Sequence, residues 1–141
     1  MDFTRKYIKM CEKAREIQEK WRPRVGDWVV DVWNKERPLV ISAISDDCNY
    51  LYLLSQLANS KDDIYLNHIS KVFCIFTQDQ LQERVTDKGY FRVSLIELFY
   101  RFANKNIDKH TSMEQLCLAY VMWVKYKKIW DEDKEKWIKK E

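Results

Sequence analysis

His68 and Ser70 lie just beyond the acidic pair Asp62-Asp63, and together these are the residue types of a base, a nucleophile and an orienting acid. Nearness in sequence does not make a triad. A polar loop between two short strands accounts for the same residues, so no catalytic residue is assigned. Asp46-Asp47 and Asp62-Asp63 offer oxygens to a hard cation, but lack the glycine and closing glutamate of an EF-hand loop. Turn chemistry explains them, and no metal site is expected. Cys11, Cys48, Cys74 and Cys117 are dispersed, with no CxxC pair, and only two histidines could complete a zinc site. Free thiols in a reducing cytoplasm are the expectation.

Binding residues are easier to nominate than catalytic ones. Arg22, Arg24, Lys35 and Arg37 surround the aromatics Trp28 and Trp33, with Tyr50 and Tyr52 further on. Such a group on a small sheet stacks bases and neutralises phosphates. Only one face of a sheet is core, and alternation leaves Trp33 on the outer one, so Arg22, Arg24, Trp33, Lys35 and Arg37 are the candidate nucleic-acid contacts. Gln78 and Gln82, in the glutamine-rich "FTQDQLQERV", and Trp137, in the charged tail "DEDKEKWIKKE", are the candidate contacts to a protein partner. The tail tryptophan either folds back onto the body or anchors a partner.

These residues need positioning elements. Phe3, Tyr7, Met10, Ala14, Ile17 and Trp21 recur at helical spacing, which predicts an N-terminal helix over 1–22, ended by Arg22-Pro23. "GDWVVDVW" predicts a strand with Trp28, Val30 and Val32 on one side and Val29, Asp31 and Trp33 on the other. "NKERP" reads as a turn before a second strand, "LVISAI"; "YLYLL", Ile64–Leu66 and Val72–Phe76 follow as further extended pieces. Residues 23–76 therefore read as a small antiparallel sheet or SH3-like barrel. From position 77 to 141 the rhythm becomes helical. Thr77 with Gln80, Ser94 with Glu97, and either Thr111 with Glu114 or Ser112 with Gln115 read as capping boxes. "LCLAYVMWV" is apolar all round and so belongs at the centre of that half, and Trp123, Trp130 and Trp137 recur every seven residues.

Composition narrows the classes further. With 141 residues, 46% of them hydrophobic, the chain carries enough apolar surface for one compact domain. Two glycines leave little for a glycine-rich phosphate loop. A net charge of +3, from 25 basic and 22 acidic side chains, is too balanced to announce nucleic-acid binding by itself. The densest apolar run, Leu116 to Val124, is too short for a membrane span, and the opening residues alternate charge with apolar positions rather than forming a signal peptide.

Along most of its length the chain resembles small uncharacterised proteins encoded in phages and prophages of Firmicutes. The resembling residues are "CEKAREIQEKW", "RPRVGDWVV", "FTQDQLQERV", "LFYRFAN" and "SMEQLCLAYVMWVKYKKIWDEDKEKW". Phe76 stands where that group has proline, and Arg84 where it has an apolar residue. The resemblance implies a bacterial host cytoplasm and an accessory role, and brings no activity, cofactor or site residue. The expectation is an α+β protein acting as a non-enzymatic interaction module on a phage or host protein. The alternative is a nucleic-acid-binding regulator using the aromatic and basic side of the sheet.

Overall fold

The computed structural model describes residues 1–55, 64–86 and 92–140, with the backbone alone described at 86 and 92–95. It is an α+β protein of two compact units, one formed by Met1–Lys13 with Phe76–Glu141 and the other by Ala14–Ile75. The expected single N-terminal helix is two, α1 (Arg5–Lys13) and α2 (Arg15–Lys20), broken at Ala14, whose ψ of 61° leaves the helical region. The helical stripe nonetheless faces inward: Tyr7, Met10, Ala14, Ile17 and Trp21 are all buried, while Phe3 precedes α1 and is exposed at 36%.

The unit Ala14–Ile75 is built on a five-stranded antiparallel sheet in the order β4-β3-β2-β1-β5. Its strands are β1 (Trp28–Asp31), β2 (Asn34–Ile44), β3 (Tyr50–Ser55), β4 (Ile64–His68) and β5 (Val72–Ile75). Gly26, at φ +94°, turns the chain into β1 and donates its N–H to Ile41 O at 2.8 Å. The β1–β2 turn falls at Val32-Trp33, not at "NKERP", because Asp31 pairs with Asn34 and strand β2 already includes those residues. The register slips between Val30, opposite Pro38, and Asp31, opposite Asn34. A proline without an N–H is at home beside such an irregularity.

Leu39, Ile41, Leu51 and Leu53 alternate inward and are buried, each worth roughly 1.5–3 kcal/mol of transfer free energy. Tyr50 and Tyr52 alternate outward. Among the described residues β4 and β5 are the two edges of the sheet and do not pair, so no closed barrel forms. Asp27 ties the α2–β1 corner by accepting from Trp21 Nε1 at 2.9 Å and from the Arg24 N–H at 3.0 Å. Gln18 reaches β5, donating to Cys74 O and accepting from Cys74 N.

The other unit gathers around α5 (Met113–Tyr126), on which α1, α3 (Gln78–Thr86), α4 (Arg92–Asn106) and β6 (Lys128–Asp131) pack. Every residue from Gln115 to Met122 is buried, as an all-round apolar helix requires. Phe99 and Phe102 of α4 set their rings against Tyr120, and Phe102 stacks on Trp123 at 5.4 Å. Tyr7 of α1 is wholly enclosed and donates its hydroxyl to Phe76 O at 2.7 Å.

Two of the three caps form. Thr77 and Gln80 exchange side-chain-to-backbone bonds at the start of α3, and Ser112 accepts from Gln115 N at the start of α5. Helix α4 is already under way at Arg92, two residues before Ser94. At its far end α5 stops on Lys127, which is left-handed at φ 56°. The chain then forms a hairpin, β6 with β7 (Lys136–Lys139), where the tryptophan heptad suggested more helix. Trp130 and Trp137 are direct cross-strand partners with edge-to-face rings 5.2 Å apart.

Candidate binding surface

Of the five expected nucleic-acid contacts, Arg22 and Arg24 precede β1, Trp33 lies in the turn at its far end, and Lys35 and Arg37 are on β2, which runs back antiparallel so that Pro38 stands opposite Val30. The Arg22 guanidinium donates to the carbonyls of Glu19 and Trp21. Trp33, 84% exposed, projects from the β1–β2 turn rather than from a strand face.

Of the expected partner contacts, Gln78 is half-buried and Gln82 exposed on α3. Trp137 is not a free anchor: it is 8% exposed and its indole N–H donates to Met10 O at 3.0 Å. Pairing in a hairpin gave the tail tryptophan a buried site against α1.

The base and nucleophile of the first grouping, His68 and Ser70, form a turn. His68 Nδ1 accepts from Ser70 N at 3.1 Å and lies 2.7 Å from Ser70 Oγ, capping the 3-10 turn Ile69–Lys71. Asp62 and Asp63 fall outside the described residues. Asp47 accepts from Ser45 Oγ and Asn49 N, which hold its carboxyl below the usual range, and Cys48 beside it is left-handed at φ 60°. Among the described residues no cluster of three or more His, Cys, Asp or Glu could hold a metal ion. Cys11 and Cys117 are buried thiols whose pKa values burial pushes up to about 12 and about 11, unsuited to nucleophilic work.

A different surface emerges at strand β4. Residues directly paired across antiparallel strands share a face. Tyr50 with His68, Tyr52 with Leu66, and Leu54 with Ile64 therefore line one face of β3 and β4. That face is apolar yet open: Ile64 is 59% and Leu66 58% exposed, and Tyr50 and Tyr52 are exposed as well. Tyr50 meets His68 edge to face at 5.2 Å. Beyond β4 lies no further described strand, so its outer backbone groups face away from the ladder.

On the opposite face the sheet curls enough for β4 to meet the end of β1, where Asn67 Nδ2 donates to Asp31 Oδ2 at 2.5 Å. A cleft of about 260 Å³ opens there, lined by Asp31, Asn34, Arg37, Leu39, Tyr65, Leu66 and Asn67. Arg37 lies over the Tyr65 ring at 4.8 Å and is steadied by a 3.1 Å bond from Nε to Ser55 Oγ. Its terminal nitrogens bond to no described residue. Asp31 accepts from Trp33 N and Asn67 rather than from Arg37. The cleft joins strands far apart in the chain, so no local motif marks it.

Among the described residues no helix is long and apolar enough to cross a membrane. No family model, curated protein or solved structure matches the chain.

Proposed function

We propose that the protein is a non-enzymatic interaction module that engages a protein partner along β4. The observation that carries this reading is the exposed apolar face of an edge strand, Ile64 and Leu66 flanked by Tyr50 and Tyr52. An edge strand with open apolar side chains is a ready template for another chain, and monomeric proteins commonly blunt such edges with charge. The partner is a phage or host protein, met in the host cytoplasm in an accessory role. Affinity capture from induced host cells tests it, comparing wild type with the doubly charged variant Ile64→Lys/Leu66→Lys. Both sites are exposed, so the variant stays folded and loses the captured protein, with or without nuclease. Identical capture by wild type and variant refutes the reading.

A second reading, nucleic-acid binding, keeps one specific observation: the exposed Trp33 ring beside Lys35 and Arg37. Here Trp33→Ala weakens binding to single-stranded oligonucleotides and added salt weakens it further. Unchanged affinity in the variant removes it.

A further inference from the structure

We infer that the Arg37 cleft is a carboxylate-binding subsite, occupied by an acidic group of an extended peptide that lies along β4. The inference rests on β4 as the docking strand and adds the chemistry of what docks there.

Arg37 is arranged as a receptor rather than as a solvated surface charge. Its guanidinium plane is fixed by the Tyr65 ring on one side and by Ser55 at Nε. The two terminal nitrogens remain, and a guanidinium fork matches a carboxylate in a bidentate pair. Asp31, the acid among the lining residues of the cleft, is engaged elsewhere, since its two oxygens accept from Trp33 N and Asn67 Nδ2. Arg37 is thus a half-buried cation without an anion among the described residues. It is also adjacent to the strand that offers an edge, because Tyr65, Leu66 and Asn67 of β4 line the same cleft. A peptide on β4 would place alternate side chains toward the two faces, one toward Leu66 and the next toward Arg37.

Charge favours a peptide over a polyphosphate. Asp31 and Glu36 balance Lys35 and Arg37 along this stretch, so its net charge is zero. A nucleic-acid backbone wants an accumulated positive field, whereas a single carboxylate needs only one well-placed fork. The carboxylate comes from an Asp or Glu side chain or from a chain terminus, and the test separates the two sources.

Random short-peptide libraries would be selected on the intact protein, one library with free C-termini and one displayed with both ends fused. Wild type, Arg37→Gln and Leu66→Lys would be compared after confirming equal circular dichroism and melting temperature. Wild type enriches sequences with alternating apolar residues and an acid at one constant position, or a free terminus there if the terminus is the source. In Arg37→Gln the apolar pattern survives while the preference for the acid falls about tenfold, the loss of one charge-assisted bidentate pair. Leu66→Lys loses the apolar pattern. An acid equally frequent in the wild-type and Arg37→Gln pools overturns the subsite and leaves the docking strand standing. Absence of any enriched pattern in wild type overturns both. Salt-sensitive binding of an oligodeoxythymidine, lost in Arg37→Gln, overturns it in favour of phosphate.

Discussion

His110 ought to make this protein acid-sensitive in a defined window. The residue sits between the 3-10 turn Ile107–Lys109 and the Ser112 cap of α5, is 7% exposed, and has no partner at Nδ1. Burial is the main cause that pushes its pKa down to about 4 from an ordinary 6.5; the Lys6 and Lys109 charges add to it, and Glu132 opposes them. A proton arriving at Nδ1 would meet no acceptor in a site where Lys6 is already bound to Lys109 O and paired with Glu132.

Because the folded pKa is depressed, the unfolded chain binds the proton more readily. Stability is therefore full above about pH 6.5 and declines as pH falls toward about 4. A shift of this size corresponds to at most about 3.5 kcal/mol at about 1.4 kcal/mol per unit, and to less where water reaches the ring. Urea unfolding of wild type and His110→Gln at stepped pH reads the difference directly. Other titrating groups are common to both proteins and cancel. The wild type loses roughly 2–3 kcal/mol more than the variant across the window. Parallel curves, or a His110 imidazole that titrates at its ordinary value by NMR, refute the reasoning.

Trp137→Ala removes a buried ring and leaves Met10 O without its indole donor, costing about 3–5 kcal/mol in urea unfolding. Trp33→Ala, at an exposed turn, changes stability by no more than about 0.5 kcal/mol, and equal losses at the two sites contradict the assigned burial. Thr77→Ala removes the hydroxyl that accepts from Gln80 N and costs about 1 kcal/mol, most of it recovered by Thr77→Ser; no loss in the alanine variant argues against the cap.

The stripe of α1 and α2, the alternation of β3, the Thr77–Gln80 cap and the enclosed α5 could all be read from neighbouring residues. Each depends on contacts within a turn or two of chain, where spacing is geometry. Gln80 of the glutamine-rich segment belongs here, because it closes the start of a helix. The hairpin was hidden by an ambiguity of period. Trp130 and Trp137, seven residues apart, satisfy a heptad and equally a four-residue turn that folds one onto the other. The left-handed Lys127, a conformation no residue type there announces, selects the second.

Local pattern by itself determined the class of the fold and most of its core, because burial follows from the rhythm of apolar side chains. Tertiary structure alone decided which binding residues meet. The turn at Val32-Trp33 sends Lys35 and Arg37 back along β1, and Asp31 and Asn67 are brought together across the curl of the sheet. Curl and strand pairing depend on long-range register, which short stretches of sequence do not encode.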